Sequence, residues 1–356
     1  MDLKTLNSAL PPLMALIRKG VERKILLKKY DEELVSIAYA RVRDAKIGKD
    51  LLFNEDDLRF ATNPIVAKWR AQRLKCDTLI EIGCGVGIQT LEFAKSCKRV
   101  IAVDNDRRKV EYAKQNAISE SITNVEFIVA DGIEFLGSQK KADIIFIDPQ
   151  RLASEPARSL DTIKPSIPDI LKVAGKLTKR IAIELPPQIK CLYFDCEKEY
   201  SSIRHELNRL TVYFGPLKNA DTSAVMLPEG EVLTPQSKAP LPKGPYLYEI
   251  DPAVIKAGLH DSLGLRPSGL QGLYCANKRI SSPFIKHVFK MIYEGANNPG
   301  QIRPALRGIG KIVLRAQVAP KDYWDLRKKY ELGLSGPGVA HLFIEGGMAY
   351  VCELLF

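Results

Sequence analysis

Leu79-Ile80-Glu81-Ile82-Gly83-Cys84-Gly85-Val86-Gly87 reads as a buried strand running directly into a glycine loop. Glycine accepts the backbone angles of a tight turn and lets the chain approach a ligand closely. A helix over 87–96 follows, and its free N–H groups and positive end suit an anion. The dinucleotide-binding fingerprint wants a glycine at position 88, where this chain has Ile88. Taken alone, such a loop is also an ordinary strand-to-helix turn.

The neighbouring sequence has a regular rhythm. Short apolar runs recur at 78–82, 99–103, 125–129, 143–147 and 180–184, each about the length of a strand. Segments at 106–119 and 167–178 hold helices between them. Strands alternating with helices make βαβ units, so the fold class is α/β with a mostly parallel, Rossmann-like sheet. Ligands of open α/β sheets bind at the carboxyl ends of the strands. That edge carries Asp104-Asn105 after the second run, Asp131-Gly132-Ile133 after the third, and Asp148-Pro149-Gln150-Arg151 after the fourth. A carboxylate at Asp104 can accept hydrogen bonds from both hydroxyls of a ribose. Any one of these aspartates could equally cap a helix. Three in register behind a glycine loop mark a nucleoside-cofactor site.

Outside this core, residues 1–75 read as a helical region. Leu13, Ile17, Val21 and Ile25 share one face, Asp31-Glu32-Glu33 starts a second helix, and Asn63-Pro64 caps and opens a third. Val212-Tyr213-Phe214 and Ser223 to Leu227 read as an antiparallel hairpin. Residues 229–245 are dense in proline and read as a linker. The remainder, 246–356, reads as a small α+β domain with strands at 311–315, 341–345 and 348–353 and helices at 251–259, 282–292 and 320–330. The expected domains are 1–75, 76–228 and 246–356.

The Gly-x-Gly-x-Gly form after an acidic residue resembles the S-adenosylmethionine loop of class I methyltransferases. Further motifs extend the resemblance along nearly the whole chain: Phe60-Ala61-Thr62-Asn63-Pro64, Tyr213-Phe214-Gly215-Pro216-Leu217, Tyr248-Glu249-Ile250-Asp251-Pro252, Arg303-Pro304-Ala305-Leu306 and Leu334-Ser335-Gly336-Pro337-Gly338. Together they resemble a family of class I methyltransferases with a C-terminal THUMP-like domain. The resemblance implies S-adenosylmethionine held by Glu81, Gly83, Cys84, Gly85, Gly87, Asp104, Asn105, Asp131, Gly132, Ile133 and Asp148. It also implies catalysis around Asp148, Pro149, Gln150 and Arg151, and modification of structured RNA such as tRNA or rRNA. Where many nucleic-acid methyltransferases carry Asp/Asn-Pro-Pro-aromatic, this chain has Gln150 and Arg151 in the last two places. Without a cysteine nucleophile in that tetrad, a base nitrogen is the expected acceptor. The alternatives are a methyltransferase of proteins or small molecules, and an RNA-binding protein that keeps the fold without catalysis.

Composition narrows the partners. A 356-residue chain that is 46% hydrophobic and 27% charged is neither disordered nor fibrous. Its formal charge of +11 favours an anionic partner. Between 266 and 315 nine basic residues face Glu294 alone, and Arg279, Arg303, Arg307, Lys311 and Arg315 are the expected RNA contacts. Seven cysteines without a Cys-x-x-Cys pair suggest reduced thiols in the cytoplasm, and four scattered histidines suggest no metal site. The apolar run Leu13 to Ile17 is too short to span a membrane.

Overall fold

A computed structural model describes residues 3–47, 51–149, 160–189 and 193–356. The chain forms two compact units, one comprising Met1–Ser201 with Arg209–Asp221, the other Ser202–Asn208 with Thr222–Phe356.

The first unit is built on strands β1 (Thr78–Ile82), β2 (Arg99–Asp104), β3 (Val125–Val129), β4 (Ile144–Ile147), β5 (Ile181–Leu185), β6 (Glu197–Ile203) and β7 (Glu206–Phe214). They lie in the order β3-β2-β1-β4-β5-β7-β6. The first five are parallel, and β7 joins β5 antiparallel with Ile183 opposite Val212. Continuous apolar runs suit this arrangement, because helices cover both faces of a parallel sheet. All four residues of β4 and all five of β5 are buried. In the core Phe93 meets Phe146 edge to face, with ring centroids 5.2 Å apart.

The helices of this unit are α1 (Leu3–Arg18), α2 (Arg23–Leu26), α3 (Glu32–Arg43), α4 (Glu55–Phe60), α5 (Pro64–Arg73), α6 (Ile88–Ser96), α7 (Arg107–Ser119), α8 (Gly132–Ser138) and α9 (Ile167–Ala174). The expected caps are in place: Asp31 accepts from the N–H groups of Glu33 and Leu34, and Asn63 from that of Ile65. The first helix differs from expectation. It ends at Arg18, where Gly20 takes φ +81° and Val21 N–H reaches back to Leu16 O at 3.1 Å. That helix-terminating loop breaks the Leu13-Ile17-Val21-Ile25 face. The buried stripe is Leu6, Leu10 and Leu13, while Ile25 is exposed.

The hairpin is also re-paired. β7 turns back on β6 through Arg204 and His205, whose φ values of +50° and +63° suit a two-residue turn. Thr222–Leu227 pairs instead with Glu231–Leu233.

These last two are β8 and β9 of the second unit, which continues with β10 (Tyr246–Ile250), β11 (Arg266–Pro267), β12 (Leu273–Ala276), β13 (Ile285–Ala296), β14 (Ile309–Ala316), β15 (Gly338–Glu345) and β16 (Met348–Leu354). β10 to β16 make a seven-stranded sheet in the order β11-β12-β10-β13-β16-β15-β14. Its helices are α10 (Pro252–Ala257), α11 (Pro299–Ile302) and α12 (Tyr323–Glu331). The expected helix at 282–292 is instead β13, pairing with β10 and β16. Phe284 and Val288 are spaced as on a helix face, but Ile285, Val288 and Ile292 are β-branched and fit the pleated surface better. The proline-dense run carries β9 and is tied to this unit, since Leu241 N–H donates to Gly264 O and Arg266 Nε to Leu241 O.

Candidate active site at the strand tips

A cavity of about 800 Å³ opens at the carboxyl ends of β1 to β4. Its wall includes Glu81, Gly83, Cys84, Gly85, Asp104, Asn105, Asp131, Gly132, Ile133, Asp148 and Pro149. Residues far apart in sequence meet there because parallel strands all deliver their loops to one edge. Gly87 stands behind the wall at φ +86°, as the N-cap of α6. Gln150 and Arg151 lie outside the described residues.

Each anchor has a local cause. Asp104 clamps the glycine loop: its Oδ2 accepts from Gly85 N–H at 2.9 Å and its Oδ1 from Asp106 N–H at 3.0 Å. The cap of α7 is therefore Asp106, and Asp104 is left to shape the cavity. Asp131 does cap a helix, with Oδ1 accepting from Ile133 and Glu134 N–H. Gly83 is required twice over. It holds φ +81°, and a Cβ there would come within 2.3 Å of Asp148 O. Gly132 lies so close to Ile82 that its Cβ would meet Cγ2 at 2.2 Å. The N–H groups of Gly83, Cys84, Gly85 and Gly87 are taken up within the fold, while α6 begins without a side-chain cap, so it is the first turn of that helix that offers its positive end to a ligand.

The electrostatics are dominated by carboxylates. Glu81 is buried, and its Oε2 has no hydrogen-bond partner among the described residues. Burial pushes its pKa up to about 8, with Thr90 and Arg70 opposing and the charges of Asp148 and Asp104 reinforcing. Burial likewise drives the Cys84 thiol well above its ordinary range, helped by Glu81 and Asp104.

Beneath the wall lies a group that composition hid. Arg70 of α5 is 1% exposed. It pairs with Glu184 at 2.7 Å, donates to Gln89 Oε1 at 2.7 Å, and sits 4.7 Å from the centroid of Phe146. Arg209 approaches the same Glu184 at 2.6 Å, so that carboxylate joins β5 to its neighbours and is absent from the cavity wall. Phe60, Thr62, Lys164 and Pro165 also line the cavity. The Phe60-to-Pro64 motif marked the first two, whereas nothing local in the sequence singled out Lys164 or Arg70.

In the second unit Arg279, Arg303, Arg307 and Lys311 are exposed. Arg303 Nη1 donates to Leu332 O at 2.6 Å, and Arg279 stacks 4.9 Å from the Phe356 ring. Arg315 is engaged in the fold: it contacts Glu249 at 3.3 Å and lies over Phe289 and Phe343. Among the described residues no cluster of three or more His, Cys, Asp or Glu is placed to hold a metal. No described helix is long and apolar enough to cross a membrane.

This geometry agrees with comparisons to known proteins. Residues 75–190 match the family model described as a methyltransferase domain. The chain is 37% identical over 94 residues to the 23S rRNA (uracil(1939)-C(5))-methyltransferase RlmD of Legionella pneumophila strain Lens, covering 25% of this chain and 21% of that protein. It is 43% identical over 58 residues to a protein named "Probable ribosomal RNA small subunit methyltransferase A" from Methanosphaera stadtmanae, covering 16% and 21%. The chain thus spans about a fifth of the length of these curated relatives. The crystal structure titled "putative methyltransferase from Porphyromonas gingivalis W83" superposes with a TM-score of 0.71 at 16% identity, covering 99% of this chain and 98% of that one. The fold is that of the class I methyltransferases, and residues 75–190 are a methyltransferase domain. Its cofactor is S-adenosylmethionine, and the residues present fit that group: an uncapped helix start behind glycines, a clamped aspartate at β2, and a buried carboxyl with an unsatisfied oxygen at β1.

Proposed function

We propose that this protein transfers a methyl group from S-adenosylmethionine to a base nitrogen of structured RNA, tRNA or rRNA. The observation that carries the reading is that Asp148 and Pro149 line the same cavity as the carboxylates of β1 to β3. S-adenosylmethionine supplies an electrophilic methyl when bound, which leaves the protein the task of aligning an acceptor lone pair. Glu81, Asp104, Asp131 and the glycine loop hold the cofactor. Asp148 and the Pro149 carbonyl accept hydrogen bonds from the acceptor's N–H, which orients the lone pair and stabilises the positive charge that develops on nitrogen. Gln150 and Arg151 complete the tetrad.

The named RlmD relative methylates uracil C5, and two features favour nitrogen here. The tetrad contains no cysteine. Cys84, the cysteine found among the described residues of the cavity wall, is buried and held in its thiol form, unlike a reactive thiolate.

The second unit, read as THUMP-like, supplies the phosphate contacts through Arg279, Arg303, Arg307 and Lys311. Arg315 leaves that set because Glu249 and two aromatic rings already hold it.

The test is transfer of labelled methyl from cofactor to RNA by wild type and Asp148→Ala. Loss of a charge-assisted hydrogen bond that acts in the transition state lowers kcat about 100-fold or more. Cofactor affinity should fall by a smaller factor than kcat, because Asp148 is one of several residues expected to hold the cofactor. An Asp148→Ala protein that methylates RNA at the wild-type rate contradicts the assignment.

A further inference from the structure

We infer that Phe60 is the stacking platform for the acceptor base, which makes the rim of the cavity around α4 a nucleobase subsite. This rests on the reading of RNA base methylation and adds the group that grips the target. A base displaced from its own stack needs a π face to replace the one it loses. Two aromatic rings are found in the described cavity wall, Phe60 and Phe146. Phe146 is 1% exposed, with Phe93 at its edge and the Arg70 guanidinium over its ring, and it has no face to give. Phe60 is 43% exposed, and the Arg59 guanidinium, 5.2 Å from the ring centroid, covers one face and leaves the other for a base.

That exposure is built into a rigid support. Asn54 and Asp57 cap the start of α4 reciprocally. The buried Asp57 carboxylate receives both terminal nitrogens of Arg108, at 2.7 and 2.9 Å. Ala61 N–H closes the last turn on Asp57 O at 2.8 Å. The helix is thus pinned from below while its final side chain stands open to the cavity. Folding gains little from a phenyl ring left in water, whereas a bound base would cover it. Arg59 and Lys164 line the same wall as Phe60 and offer cations to the phosphates on either side of an extruded nucleotide, within a cavity whose carboxylates otherwise outnumber its basic groups.

The experiment compares wild type with Phe60→Ala, Phe60→Leu and Phe60→Trp on total RNA from cells lacking the gene. It uses labelled S-adenosylmethionine, with cofactor affinity measured in parallel by calorimetry. Phe60→Ala and Phe60→Leu should lower kcat/KM for RNA by about 10- to 100-fold, chiefly through KM, and Phe60→Trp should stay within about threefold of wild type. Cofactor affinity should move less than about twofold in all three, as expected for a group that grips the base alone. A Phe60→Leu protein with wild-type kcat/KM overturns the subsite. A matching loss of cofactor affinity also overturns it, making Phe60 a wall of the cofactor site. Wild-type protein that binds cofactor yet methylates no RNA overturns the RNA reading itself, and the subsite falls with it.

Discussion

Glu81 shows how one buried side chain links stability to ligand binding. With a pKa of about 8 it is mostly protonated at neutral pH, because water is excluded and Asp148 and Asp104 stand nearby. Holding a cationic amino group requires the ionised form. Cofactor affinity should therefore rise about two- to threefold from pH 7 to pH 8 and fall again towards pH 9, as the cofactor's own α-amino group loses its proton, and Glu81→Gln should bind weakly with the rise removed. Isothermal titration across this range checks it, and a flat wild-type profile would count against the role. The stability sign runs the other way. The folded pKa lies above the ordinary value, so the group's stabilising contribution is complete below pH 4.5 and disappears as pH rises through about 8. Glu81→Gln should then melt above wild type at pH 9, by about 2–4 °C for each kcal/mol relieved. Gly83→Ala is the harsher change. The new Cβ meets the Asp148 carbonyl in a backbone conformation alanine resists, so cofactor binding should be lost before global unfolding. Fluorescence-detected binding and a thermal melt separate those outcomes.

Among the elements, α5 has the least expected role. Its basic residues look like a solvated face, yet Arg70 is enclosed between α6, β5 and β7 by Gln89, Glu184 and Thr211. Arg70→Ala removes the 2.7 Å ion pair from the buried Glu184 and should cost about 3–5 kcal/mol in urea unfolding. A loss below about 1 kcal/mol would mean that water or Arg209 compensates fully. The same comparison explains what could be read in the sequence. The strand runs, the glycine loop, the strand-tip aspartates and the caps Asp31 and Asn63 are local signals, because each follows from backbone geometry within a few residues. Arg70 and the pairing of β7 with β5 depend on partners more than a hundred residues away or on another strand. The strand at 285–296 was hidden for a different reason: a short apolar run has no unambiguous period.

For the whole molecule, the proposed RNA contacts make a salt-dependent claim. Each phosphate neutralised adds roughly 0.7 to 0.9 to the slope of log affinity against log salt. Reversing Arg303, Arg307 and Lys311 to glutamate should lower RNA affinity steeply at low salt and flatten that slope. The methyltransferase domain's cofactor affinity should be unaffected. Filter binding at several salt concentrations measures both quantities, and an unchanged slope would move the RNA surface elsewhere. All three side chains are exposed, and because Arg303 also donates to Leu332 O, the Arg307 and Lys311 reversals are read separately from it.

The central claim, a methyl placed on a base nitrogen of RNA, is tested most directly by mass spectrometry of nucleosides in total RNA from cells with and without the gene. The account predicts that one N-methylated nucleoside disappears with the gene and returns with the wild-type protein but not with Asp148→Ala. An unchanged nucleoside profile, or the loss of a nucleoside methylated on carbon or ribose, would contradict it.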